Sequence, residues 1–259
     1  MHLLDSIILG AVQGITEFLP VSSTAHTALY QKIFSLHHFG RDFDILLNLG
    51  TLLALVLYFY RDFWKIFVGG LNFICNKKSK NRDFFLIILL ANLPLVVFLG
   101  ILEFLEIKVT SAKLAAANLI GFGIILYLCD RRPTNKKDFS LKDGMKIGIA
   151  QMLAFFPGVS RLGICLSMCR YLGYDRRESF RFSMILSVFP IAGACLLKLS
   201  KIFTKNSFGF SCVEATTGIV SAFIFGMISV FAVSRFLKKH SLTPIVIYRI
   251  IFGIFILFL

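Results

Sequence analysis

Long apolar runs limit the folds open to this sequence more than any other feature. A helix needs about 20 apolar residues to cross a bilayer. Six runs reach or approach that length, the first being slightly short without its flanks: 45–60, 84–102, 114–129, 182–199, 213–233 and 243–259. Inside lipid every backbone amide and carbonyl needs a partner within the protein, and a helix provides it. We therefore predict an all-α integral membrane protein with six transmembrane helices.

The composition supports a single membrane domain over residues 1–259. Hydrophobic residues make up 57% of the chain and charged residues 16%, with a mean hydropathy of +0.79. Soluble domains carry about 25% charged residues. The first apolar run follows no basic segment and leads to Gln13 and Glu17 rather than to a small-residue cleavage site. We therefore expect no cleavable signal peptide.

The net charge of +14 is distributed over short loops. Basic residues cluster at 77–82, 131–137, 176–181 and 238–239. Such loops are typical of the cytoplasmic side of a membrane protein, beside anionic lipid headgroups. The distribution argues against a nucleic-acid partner and favours membrane lipids as partners. Placing the basic loops in the cytoplasm also gives each span a direction. The segment 198–205, predicted to be a loop, then lies on the outer side although it is basic.

Two further segments share one pattern and fit no simple crossing. In 10–26 an apolar stretch with Gln13 leads to Pro20, a valine and serines, and in 148–163 a similar stretch leads to Pro157, a valine and Ser160. A helix breaks at or before proline, because the ring removes an amide donor and clashes with the preceding turn. Non-helical backbone is tolerated at membrane depth only where it is buried in protein or faces water. Each segment is therefore predicted to be a re-entrant hairpin of helix, break and helix.

Three of the predicted spans separate the two hairpins along the chain. Because this number is odd, the hairpins enter from opposite sides of the membrane, and their breaks meet near its middle. Together with the similarity of the two motifs, this parity predicts an inverted-topology repeat. Its halves cover approximately 1–130 and 131–259.

The polar residues of the two breaks are costly at membrane depth. An ionisable group there costs several kcal/mol unless it is paired or faces a wet cavity, so it indicates function. Gln13 and Glu17 lie four residues apart and share one helix face. Arg161 carries a planar fork that suits phosphate oxygens. The candidate catalytic residues are Glu17, Ser23, His26 and Arg161.

The residues that follow each proline favour the start of a second half-helix. Serine and threonine are good N-caps, and the free amides of a helix N-terminus, together with its dipole, form an anion site. Glycine lets the backbone approach a ligand closely. The candidate phosphate-binding residues are Ser22, Thr24, Gly158, Ser160 and Arg161.

This combination of groups favours phosphoryl transfer. Ser23 or His26 would attack phosphorus or handle the proton, and Glu17 would act as a base or bind a divalent cation together with Gln13. The nucleophile stays open between Ser23, His26 and water. Arg249, in the last span, is expected either to snorkel to the interface or to pair with a backbone carbonyl.

At these residues the sequence resembles the bacterial undecaprenyl-diphosphate phosphatases, also called bacitracin-resistance proteins. The resemblance covers essentially the whole chain. It rests on QGITEFLPVSSTAH at 13–26 and PGVSR at 157–161, with similar segments at 43–50 and 248–249. It implies hydrolysis of undecaprenyl diphosphate to undecaprenyl phosphate and inorganic phosphate, which recycles the lipid carrier for cell-wall synthesis and gives tolerance of bacitracin. It further implies Mg²⁺ or Ca²⁺ as a cofactor and a site that opens to the periplasmic side of the bacterial inner (plasma) membrane.

The sequence departs from the family pattern at three places. Gln13 replaces the first acidic residue, the segment after Arg161 is LGIC where the family has Ser-Gly-Ala-Thr, and Arg181 replaces a glutamate. These changes affect metal affinity and rate rather than the core of the site. A lipid-phosphate flippase or anion transporter on the same inverted-repeat fold remains the alternative function, and a homo-oligomer remains open.

Overall fold

The computed structural model describes residues 2–36, 39–107, 109–205 and 210–258, without the side chains of 2, 40, 41 and 198–205. Within these ranges every regular element is a helix, as the apolar runs predict. In chain order the helices are α1 (His2–Glu17), α2 (Ser23–Ile33), α3 (Gly40–Tyr58), α4 (Tyr60–Ile74), α5 (Lys80–Phe104), α6 (Ala112–Asp130), α7 (Leu141–Gln151), a 3₁₀ turn (Met152–Phe155), α8 (Arg161–Tyr171), α9 (Arg176–Lys205), α10 (Cys212–Phe236) and α11 (Thr243–Leu257).

Each of the six predicted spans lies wholly or largely within one of these helices. Among the described residues, four helices are long and apolar enough to cross a membrane by themselves: α5, α6, α9 and α10. The predicted span 45–60 lies in α3, which meets that length and apolarity only together with α4, at a bend of 82°. The last predicted span is α11, an apolar helix of 15 residues. The structure therefore supports a multi-pass protein with four or five clear spans and one shorter apolar helix.

One local prediction was wrong, and one helix was not predicted. The segment 198–205 is the end of α9 rather than a loop, because Leu199, Ile202 and Phe203 follow the spacing of an amphipathic helix. The sequence also did not predict α4, whose buried Asp62 is bound by Arg181 of α9. A contact between distant segments thus holds this helix.

The hairpins have the predicted form. The arms α1 and α2 contain 16 and 11 residues, and α7 and α8 contain 11 each. Each arm is shorter than the roughly 20 residues of a span. The first break covers 18–22, and the second consists of the 3₁₀ turn followed by 156–160.

The hairpins pack against long helices of the opposite half. Helix α1 packs against α10, and α7 packs against α5, while α6 packs against α11. Small residues allow these contacts, because a Cβ on Gly10 would lie 2.4 Å from the Gly218 carbonyl oxygen and one on Gly148 would lie 2.5 Å from that of Ala91. These contacts join each predicted half of the chain to the other. The division of the repeat near residue 130 stays a prediction.

Asp130 joins four helix ends at one end of the bundle. Its carboxylate, at the end of α6, accepts hydrogen bonds from Arg170 of α8 and Arg176 of α9. It also accepts one from the backbone amide of Leu242, at the start of α11. The ends of α6, α8, α9 and α11 therefore lie together, next to the basic segments 131–137, 176–181 and 238–239.

Candidate active site

The two breaks meet and bring Glu17 and Arg161 together, although 144 residues separate them in the sequence. Nη2 of Arg161 lies 3.4 Å from Oε1 of Glu17. The side chains are 24% and 12% exposed, respectively, so the pair is withdrawn from the surface without being sealed. A ligand can therefore reach the guanidinium.

The Glu17 carboxylate is the centre of a polar network. Its Oε2 accepts hydrogen bonds from Oγ of Ser23 at 2.6 Å and from Nε2 of Gln13 at 3.0 Å. The Gln13 amide also donates to Oδ1 of Asn48 on α3, at 2.7 Å. Because a short O–H···O⁻ bond is charge-assisted, Ser23 has its hydroxyl proton directed at a carboxylate that can take it.

His26 faces away from this network. Its Nδ1 lies 2.8 Å from the carbonyl oxygen of Ser22, and its Nε2 lies 2.6 Å from the hydroxyl of Tyr248 on α11. The imidazole also stacks on Phe252, with ring centroids 4.0 Å apart. Of the two candidate bases for Ser23, the geometry therefore favours Glu17.

The second arms of both hairpins begin in the same unusual backbone conformation. Ser22 precedes α2 with φ of 70°, and Ser160 precedes α8 with φ of 68°. Side-chain-bearing residues rarely adopt positive φ, and such strain is often found at functional sites. Gly158 has φ of +84°, and a Cβ there would lie 2.0 Å from the carbonyl oxygen of Ala115, so this position requires glycine.

The two serines cap their helices differently. Oγ of Ser160 accepts a hydrogen bond from the Gly163 amide, whereas the Ser22 side chain makes no such bond and lies 3.3 Å from Oγ1 of the exposed Thr24. The first turn of α2 therefore keeps its amides free of a side-chain cap. With the helix dipole, these amides and Arg161 form a positive environment suited to a phosphate.

Arg249 holds the two breaks together. It is fully buried, and its Nη1 donates to the Pro20 carbonyl oxygen at 2.6 Å, while Nη2 donates to those of Gly158 and Val159, each at 3.1 Å. Its Nε donates to the Leu119 carbonyl oxygen of α6 at 3.2 Å. The sequence predicted that Arg249 either snorkels to the interface or pairs with a backbone carbonyl. Pairing is confirmed, and snorkelling is wrong. That these carbonyls belong to both breaks could not be predicted from the sequence.

Asn48, Tyr248 and Phe252 contact predicted site residues but were not themselves predicted. A signal existed for the first two, because Asn48 lies within the segment 43–50 and Tyr248 within 248–249. Phe252 carried no signal, since a phenylalanine in an apolar helix is ordinary.

The departures from the family motif have structural partners. Cys165 donates to Oε1 of Gln151 at 3.4 Å, so both side chains serve packing inside the second hairpin. The glycine that this segment shares with the family pattern, Gly163, also has a structural reason, because a Cβ there would lie 2.8 Å from Nη1 of the buried Arg249. Arg181, in place of a glutamate, makes two hydrogen bonds to Asp62.

The side-chain oxygen atoms around Glu17 suit a hard cation that also binds the substrate. Among the described residues, no three His, Cys, Asp or Glu side chains cluster as a metal site. Glu17 offers one carboxylate, beside the side-chain amides of Gln13 and Asn48. Mg²⁺ is often held by one or two carboxylates plus substrate phosphates, so these residues fit such an ion once the Gln13 amide turns its oxygen inward.

Comparison with known proteins gives one consistent result. The family model described as bacitracin resistance protein BacA matches residues 6–255. The undecaprenyl-diphosphatase of Geobacter metallireducens is 36% identical, over 98% of this chain and 96% of its own. That of Alcanivorax borkumensis is 37% identical over 100% and 99%, and that of Elusimicrobium minutum is 35% identical over 99% and 98%. The chain therefore belongs to the bacitracin resistance protein BacA family.

Proposed function

We propose that this membrane protein hydrolyses undecaprenyl diphosphate to undecaprenyl phosphate and inorganic phosphate. The full-length relatives that carry the name undecaprenyl-diphosphatase support this reaction. The observation that carries the proposal is the contact of Glu17 with both Ser23 and Arg161 where the two breaks meet. The reaction recycles the lipid carrier for cell-wall synthesis, and a larger supply of undecaprenyl phosphate gives tolerance of bacitracin.

The diphosphate binds at the helix ends of the two breaks. Arg161 has five N–H donors, and those that do not face Glu17 bind phosphate oxygens. The N-terminal amides of α2 and α8 add further donors, with Ser22, Thr24, Gly158 and Ser160 shaping the two turns. These groups stabilise the charge that develops on the phosphoryl oxygens in the transition state.

Ser23 is the proposed nucleophile. Its Oγ forms a bond to the terminal phosphorus while its proton passes to Glu17, and the bridging P–O bond breaks, so that undecaprenyl phosphate leaves with the electron pair. Water then attacks phosphorus and the P–Oγ bond breaks; Glu17 returns its proton to Oγ, one proton of the water stays on the phosphate and the other passes to solvent. The products are inorganic phosphate and the original serine.

We also propose a divalent cation as the cofactor. Glu17, Gln13 and Asn48 would hold Mg²⁺ or Ca²⁺ together with the diphosphate. When bound, such a cation neutralises part of the negative charge of the diphosphate and so eases nucleophilic attack. Every residue named for this site comes from one chain.

The site is proposed to open to the periplasmic side of the bacterial inner membrane. Asp130 gathers the basic segments 131–137, 176–181 and 238–239 at one end of the bundle. Basic loops favour the cytoplasm. The ends of the first hairpin then lie on the opposite, outer side.

Phosphate release by the purified protein in detergent tests the proposal. We expect release from undecaprenyl diphosphate, and mass spectrometry of quenched reactions should find phosphate on Ser23. A protein that moves a polyprenyl phosphate between leaflets of a vesicle without releasing phosphate would instead be the lipid-phosphate flippase of the alternative hypothesis.

A further inference from the structure

Tyr248 lies at the end of a hydrogen-bond chain that leads to the proposed nucleophile. A carbonyl oxygen can only accept, so the 2.8 Å contact between His26 and the Ser22 carbonyl places a proton on Nδ1 of His26. In the neutral imidazole, Nε2 then accepts the proton of the Tyr248 hydroxyl at 2.6 Å. The chain therefore runs from Tyr248 through His26 to the backbone of Ser22.

The ring contacts hold this chain in one arrangement. His26 and Phe252 are stacked with an interplanar angle of 15°, and Tyr248 lies nearly parallel to both, at 12° and 10°. The three rings therefore fix the imidazole plane. Because hydrogen bonds in series polarise one another, the Tyr248 hydroxyl strengthens the bond from His26 to Ser22.

Ser22 is the residue whose backbone sets the direction of Ser23. Its positive φ of 70° is a strained conformation, and its side chain makes no capping bond that would hold it. The bond from His26 to its carbonyl oxygen supplies such a hold. We infer that Tyr248 is a positioning residue: through His26 it fixes the Ser22 peptide and so keeps Ser23 directed at Glu17.

This inference rests on the proposed phosphatase activity, but one of its tests does not. We would compare the wild type with Tyr248→Phe, which keeps the stacked ring and loses only the hydroxyl. The matched control is Tyr127→Phe on α6, whose hydroxyl accepts from Arg131. Each variant loses one hydrogen bond, so both should unfold within about 4 °C of the wild type.

The first measurement is ¹⁵N NMR of histidine-labelled protein without substrate. The chain has five histidines, and the His26→Ala variant identifies the His26 signals. We expect Tyr248→Phe to move the Nε2 resonance downfield, because an unprotonated imidazole nitrogen loses its hydrogen-bond donor, while Tyr127→Phe leaves it in place. An unchanged Nε2 resonance in Tyr248→Phe overturns the chain whether or not the protein is a phosphatase.

The second measurement is the kinetics of phosphate release. Loss of one hydrogen bond should lower kcat about three- to tenfold, with KM within about twofold, since Arg161 and the helix amides still bind the diphosphate. If Tyr248 acts only through His26, Tyr248→Phe should have no further effect in the His26→Ala background. An unchanged kcat, or additive losses in the double variant, would overturn the positioning role.

Discussion

The two hairpins have the same backbone plan and different chemistry. Ser22 and Ser160 take equivalent places before the second arm, with φ of 70° and 68°. The next residue is Ser23 in the first hairpin and Arg161 in the second, so one break supplies a hydroxyl and the other a guanidinium. Neither break would be a phosphatase site alone.

The first arms of the two hairpins also differ in the groups that they bring to the break. Helix α1 continues to Glu17 and carries the carboxylate to the break, whereas α7 ends at Gln151 and a 3₁₀ turn of apolar residues follows. Gln13 faces Glu17 and Asn48, while Gln151 faces the buried Cys165. The two hairpins thus share the geometry that exposes amide groups, and only the first places acid–base residues at its break.

Removing the carboxylate that only the first hairpin places at its break should have the largest effect. In Glu17→Gln the Ser23 hydroxyl loses its proton acceptor, and loss of general-base catalysis lowers rates by about 10²–10⁴-fold. Phosphate release per mole of purified protein measures the loss. Glu178→Gln, which removes a carboxylate paired with Arg181, is the control, and equal losses in the two variants would contradict the assignment of Glu17.

Changing the guanidinium that only the second hairpin carries should come next. Arg161→Lys keeps the charge and loses the planar fork, so we expect phosphate release to fall about 10²-fold, as for the loss of one oxyanion donor. Arg132→Lys is the control outside the site. Wild-type activity of Arg161→Lys would show that charge alone is sufficient there.

Gly158, in the second break, should be the next most sensitive position. Gly158→Ala places a Cβ against the Ala115 carbonyl at a positive φ, and we expect it to destabilise the protein by about 1–3 kcal/mol. Thermal unfolding in detergent measures this. Gly121→Ala is the control, because a Cβ there meets nothing within 4 Å; equal melting temperatures for the two variants would remove the steric argument.

We expect the smallest effects at the two serines that precede the second arms, and we expect them to differ in size. Ser160→Ala loses the bond to the Gly163 amide and should destabilise the protein by about 1 kcal/mol. Ser22→Ala loses no capping bond and should change the melting temperature less than Ser160→Ala does. The reverse order would mean that Ser22 caps α2 in solution.

The sequence predicts those features that local chemistry determines. A proline followed by a valine and serine predicts both breaks, whereas Pro94 and Pro190, which no serine follows closely, lie inside α5 and α9. Parity predicts that the breaks meet, as the contact between Glu17 and Arg161 shows. The bend between α3 and α4 could not be predicted, because Phe59 at the bend is neither proline nor glycine and Asp62 finds its partner on α9. Asn48 and Tyr248 lie in the segments 43–50 and 248–249 that resemble the family, but their partners were missed, since only the folded chain places them beside Gln13 and His26.

The buried Arg249 has a consequence for the order of events during biosynthesis. Helix α11 follows both hairpins in the chain, so the ribosome makes both breaks before it makes this arginine. Until α11 enters the membrane, the Pro20, Gly158 and Val159 carbonyls lack the donor that joins them. The nascent protein therefore completes its pocket only when this late helix inserts, and we expect chains that end before α11 to be inactive.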